Sequence, residues 1–153
     1  RSGPGGNTAA SLVADLCADG SRLPVYWCSF YSPCQALFFP VFLEGTLPEV
    51  LARGSEHATQ DSPWWRFLHL AHLARQDAPG RVEAVRNRWL ELELELVASA
   101  YPLAADAKAM IDAGDGAAAH KRLTEYMSHT VDRMLAAVEE LIAQFSAASV
   151  AAG

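Results

Sequence analysis

The sequence predicts an α+β fold that is mostly helical: a two-strand hairpin followed by long antiparallel helices. Three observations carry this. Val25 to Gly45 holds two apolar runs, VYWCSFY and ALFFPVFL, split by Ser32-Pro33-Cys34-Gln35. Both have strand length and are rich in β-formers. After Gly45 the apolar residues recur every three or four positions, the period of a helix. No other stretch reads as a strand.

The hairpin is the odd element. Neither run alternates apolar with polar, so both faces of each strand are expected to meet protein. Two strands alone are marginal in water. The pair is therefore expected to complete a sheet whose main part lies elsewhere. Ahead of it, the glycine-rich lead-in of residues 1–7 lacks the Lys-Ser/Thr of a phosphate-binding loop. There is no initiator methionine, and Arg1-Ser-Gly-Pro-Gly-Gly resembles a cut inside a longer chain. Asn7 or Thr8 is placed to cap a short helix over about 8–18, with Leu12, Val13 and Leu16 at helical spacing. Gly20 stands where that helix would stop.

The helical segment spans 46–147 of a single region, with 1–45 as helix and strand pair and 148–153 as a frayed tail. Leu47 to Ala52 fits one short helix with Pro48 in its first turn. Asp61-Ser62-Pro63 opens the next, which runs to about Gln76. Trp64, Phe67, Leu68, Ala71 and Ala74 share its face, with Trp65 and Leu73 outside it, so more than one side is expected to be buried. Asp77-Ala-Pro-Gly breaks it.

Val82 to about Tyr101 reads as a long helix despite the alternation of ELELEL. Val82, Val85, Trp89, Leu92 and Leu96 form one stripe; Leu90, Leu94, Val97 and Tyr101 form a second. Between them lie Arg86 and Glu93, so Glu93 is the glutamate expected against the core. A buried carboxylate needs a partner, and a structural ion pair is the expectation over a catalytic acid. Pro102 either kinks this helix or opens another to about Ala113. Gly114-Asp-Gly ends it. From Ala117 to about Phe145 a long amphipathic helix follows, expected to pack antiparallel on the 82–101 helix. Its apolar stripe includes His120, expected as a satisfied core histidine.

Charge and composition exclude several classes. A net charge of −6 with no basic run argues against nucleic acid and against a polybasic membrane patch. No apolar run approaches the roughly 18 residues of a membrane span. Three cysteines, Cys17, Cys28 and Cys34, without metal-like spacing point to a reduced, cytoplasmic setting. No cofactor is expected. His69 and His72 have a zinc-like spacing but no third ligand in sequence, so no metal is expected. The Ser32-Pro33-Cys34 corner is the candidate site. Pro fixes a turn there, and Ser29, Ser32 and Cys34 are candidates for lining a cleft. Cys34 lacks a neighbouring base, so a buried structural thiol is favoured over a nucleophile.

The run YWCSFYSPCQALFFPVFLEGTLPEVLARG, followed by DSPWWRFLHL and VRNRWLELELEL, resembles the C-terminal part of secernin-like dipeptidases. RSGPGGNTAASLV resembles the segment just before that part. The likeness covers about residues 1–100; the remainder matches only as generic helix. It implies an N-terminal-nucleophile hydrolase with a four-layer αββα sandwich, of which this chain would be the C-terminal portion. In such enzymes a terminal cysteine attacks an amide carbonyl, with its own α-amino group as base. This sequence begins with Arg1, and Cys17 lies deep in an expected helix. The nucleophile is thus expected on a preceding segment, and no catalytic residue is carried over. The implied partners are that segment, or a second copy through the exposed strand pair, and a peptide substrate. The rival reading is a non-enzymatic helical dimerisation or interaction module, with a small-ligand binding domain as a third.

Overall fold

A computed structural model describes residues 8–76 and 80–151, with side chains to 147. The glycine-rich lead-in and the Asp77-Ala-Pro break fall outside the described residues. The fold is α+β and mostly helical, as expected. Strands β1 (Ala10–Asp15), β2 (Val25–Phe30) and β3 (Phe39–Val41) form an antiparallel meander in the order β1-β2-β3. A 3₁₀ helix at Glu49–Ala52 leads to α1 (Pro63–Arg75), α2 (Arg81–Asp112) and α3 (Gly116–Ala151). Among the described residues no helix is long and apolar enough to cross a membrane.

The first correction concerns residues 10–15, expected as part of a helix and found as β1. The spacing of Leu12, Val13 and Leu16 suits a helix, but local spacing is a weak signal over six residues. Pairing with β2 decides: Leu12 lies opposite Cys28 and Val13 opposite Trp27. A ladder to a distant segment overrides local propensity. The strand pair therefore has a mate within this chain, and Cys17 sits in the loop after β1 instead of in a helix. There its thiol donates to Asp19, whose carboxyl is held down to about 2, first by that bond and then by Ser21.

The two edges of the sheet differ. Tyr31 N–H donates to Ala9 C=O, so the odd-numbered residues of β1 turn their backbone groups to β2. Those of Ala10, Leu12 and Ala14 point outward, and among the described residues nothing pairs with them. The outer edge of β3 is closed. Phe38 N–H donates to Glu93 Oε1 at 2.8 Å and Phe42 N–H to the Met127 sulfur at 3.3 Å. Pro40, between them, has no N–H to offer.

Trp27 looks toward α2, its ring 6.1 Å from Tyr101. On the other face Phe30 meets Phe67 of α1, which in turn meets Trp89 of α2. Helices α2 and α3 pack along each other through Val85, Trp89, Leu92 and Leu96 on one side and Met127, Val131, Met134 and Val138 on the other, all buried. The loop after β3 is pinned to α3. Thr46 N–H donates to Thr124 Oγ1, and a Cβ on Gly45 would come within 2.5 Å of Met127 Cε and 3.2 Å of the Thr124 backbone.

Three further expectations change. Pro102 does not open a new helix: α2 runs through it to Asp112, because the buried Ala100, Leu103, Ala104 and Ala107 hold the helix together across one lost hydrogen bond. The stripe of Leu90, Leu94 and Val97 is not core but exposed, at 55%, 62% and 42%. Helix α2 is covered on one side only. His120 is exposed rather than in the core, though satisfied. Its Nδ1 donates to Glu44 C=O, leaving Nε2 to accept from the Thr46 hydroxyl. Of the tail, 148–153, the described residues are a helical backbone to Ala151.

Candidate functional site

The corner between β2 and β3 is built by one strained residue. Tyr31, just after β2, has φ of 62°, the left-handed region that a bulky side chain enters at a cost of roughly 1–2 kcal/mol. Its ring is buried, edge-on to Trp64, and its hydroxyl accepts from Arg75. Those contacts hold the residue in place and swing the chain out of the sheet. A β-turn follows, closed by Gln35 N–H to Ser32 C=O, with Pro33 at its second position.

This turn forms one wall of a cleft of about 830 Å³. Pro33, Cys34, Ala36 and Phe38 lie on one side. Val82, Arg86, Leu90 and Glu93 of α2 lie on the other, spaced as one helix face. Trp89 closes the floor, its indole N–H donating to Gln35 C=O at 3.0 Å. A smaller groove continues from Phe38 and Glu93 to Trp27, Val13 and Val97.

The three sequence candidates separate here. Cys34 is exposed and lines the cleft. Ser32 stands beside its thiol, Oγ to Sγ 3.6 Å apart, but does not itself line the cleft. Ser29 is buried in β2, does not line the cleft, and its Oγ has no hydrogen-bond partner. The expectation of a buried Cys34 is corrected: the turn projects it into solvent. The ionisable groups beside it in the cleft are Glu83, Arg86 and Glu93, with no histidine among them. This set can bind a ligand through charge and apolar contact, but it offers no imidazole to activate the thiol. Glu93, expected in an ion pair, is instead half-buried and accepts the Phe38 amide. Cys28 lies inside the sheet, where burial raises its pKa and keeps it a thiol.

Sequence reasoning missed Tyr31 and Arg86 as site elements. Nothing in a single sequence marks a tyrosine as left-handed. Arg86 was visible as the cation of the narrow strip, but the cleft it lines depends on where the turn lands.

A second cleft, of about 580 Å³, lies between α1 and α3. Trp65, His69 and His72 line it from α1, and Glu139 and Ile142 from α3. Among the described residues no three side chains are grouped to hold a metal ion. Arg66 and Glu139 pair with each other at 3.4 Å. No known protein family, curated protein or solved structure matches this chain.

Proposed function

We propose that this chain is the sheet-completing C-terminal portion of a dipeptidase-like cysteine amide hydrolase, with the nucleophile supplied from outside the chain. One observation supports the reading most: β3 has its outer edge sealed by Glu93, Pro40 and Met127, while among the described residues nothing seals that of β1. Exposed edges in finished sheets are protected by charge, proline or cover. The neutral run Ala10-Ser-Leu-Val-Ala has none, and Leu12 and Val13 are 62% and 54% exposed. An open edge of this kind accepts another strand. The resemblance supplies the identity of that strand, the sheet of an N-terminal-nucleophile hydrolase. On this reading the cleft beside Cys34 borders the peptide site, and the free cysteines suit a cytoplasmic enzyme.

The test is hydrolysis of a dipeptide panel by this chain alone and by the chain co-expressed with the polypeptide encoded upstream. Turnover is expected only from the pair, and it should vanish when a terminal cysteine of the upstream segment is replaced by serine. Turnover by the chain alone would overturn the proposal.

The exposed row Leu90, Leu94 and Val97 favours a second reading, the interaction module, in which α2 meets a partner and no chemistry follows.

A further inference from the structure

Glu93 is a charge without a counter-charge. The helical period sets it against the core, where a carboxylate ordinarily takes a cationic partner. Its Oε1 accepts the Phe38 amide at 2.8 Å, a neutral donor. Its Oε2 has no hydrogen-bond partner among the described residues and is open to solvent. Among those residues no Lys, Arg or His nitrogen comes within 4.0 Å of either oxygen.

Its surroundings are apolar and continuous. Glu93 and Phe38 line both the cleft beside Cys34 and the groove of about 250 Å³ that runs on from it, so the carboxylate stands at their junction. Trp89 and Leu90 line the cleft side, Trp27 and Val97 the groove side; Leu90 and Val97 belong to the exposed outer ridge of α2. Among the described residues, Glu93 is the only ionisable one lining the groove. An anionic centre among aromatic side chains suits a cation on an apolar body. The carboxylate meets the charge, ring faces favour it, and the walls cover the rest.

The cleft's own cation does not fill this role. Arg86 stands seven residues before Glu93, about 10 Å back along the helix axis at a rise of 1.5 Å per residue. Glu83 lies one turn beyond it on the same wall, so that end already carries both signs. In the cleft the acids Glu83 and Glu93 outnumber the one Arg, and the net charge of −6 adds to the pull on a cation.

We propose that this junction binds a primary ammonium carried on an apolar, aromatic-sized body. The ammonium donates to Glu93 Oε2 while Oε1 keeps the Phe38 amide, and the body lies between Phe38, Trp89 and Leu90. A free arylalkylamine and the N-terminus of an apolar peptide share this chemistry. The inference stands apart from the hydrolase reading, because it concerns binding by this chain alone.

Heteronuclear NMR titration of the whole chain with phenethylamine, up to about 10 mM at neutral pH, tests it. The Phe38 amide and the Trp89 indole N–H, each in a hydrogen bond at the site, are the reporters. Both should shift saturably, with a Kd of about 1 mM or tighter. Phenethyl alcohol has the same body without the charge and should bind about tenfold more weakly or worse. Glu93→Gln keeps an acceptor for the Phe38 amide and should weaken amine binding by about the same factor. Arg86→Gln should bind the amine at least as tightly as the wild type. Phenylalanyl-glycinamide separates the two sources: tighter binding than phenethylamine assigns a peptide N-terminus, weaker binding a free amine. Absence of saturable shifts overturns the proposal, as does equal binding of the alcohol or by Glu93→Gln. A loss that follows Arg86→Gln instead overturns it too. None of these results bears on turnover by the chain with its upstream segment.

Discussion

At the scale of single residues, the tie between the start and the middle of the chain is polar. Asp15, at the end of β1, accepts from the Tyr101 hydroxyl at 2.7 Å and from Arg22 at 2.8 Å. The Tyr101 bond and then Arg22 hold the Asp15 carboxyl below its ordinary value. The same bond pushes the Tyr101 hydroxyl up. A carboxyl with a depressed folded pKa contributes stability that is complete above its unfolded pKa, near 3.9, and is lost as pH falls through the folded value. Lowering pH from about 5 toward 2 should therefore loosen β1 ahead of the helices. Hydrogen exchange should show this as lost protection at Ser11 and Val13, and Asp15→Asn should show the loss already at neutral pH. Equal protection of β1 at both ends of this range would contradict the assignment. None of this was legible beforehand, because Asp15 and Tyr101 are far apart in sequence and residues 10–15 read as helix.

At the scale of elements, Glu93 carries the closure of the sheet. Replacing it with Gln keeps an acceptor for the Phe38 amide, so thermal stability should hardly change. Replacing it with Leu removes the acceptor and should cost about 1–3 kcal/mol in chemical denaturation, the usual penalty for orphaning a partly buried amide. Equal stability of the two variants would show that the bond does not matter. The placement of Glu93 against the core was readable from the helical period, as were α1, α3 and the inner stripe of α2 from Val85 on, though not Val82, which is exposed. Its partner was not. Periodicity reports which way a side chain points, while the Phe38 amide is delivered by a turn whose course depends on Tyr31. The two strands after residue 24 were legible from composition. β1 was not, since its identity rests on pairing and not on local preference. The outer ridge of α2 was legible as apolar, but its exposure was not, because a sequence does not say how many sides of a helix find a neighbour.

For the whole molecule, one buried cation holds the helices at a common point. Arg81, the first residue of α2, donates to Leu73 C=O at the end of α1 and to Phe145 C=O in α3, and lies over the Phe145 ring. It gathers carbonyls from two helices at the start of a third, where cation and helix C-terminus attract. Arg81→Met should cost about 2–4 kcal/mol, since the two carbonyls lose a charged donor that methionine cannot replace. A thermal midpoint unchanged from wild type would refute this. The sealed rim of β3 has a consequence at this same scale. A sheet that can be joined from one side only is a terminus: two copies of this chain that pair through β1 use up both open edges and leave only the closed rims of β3. Runaway stacking of copies into fibres is blocked by geometry, and only a finite assembly can form through strands.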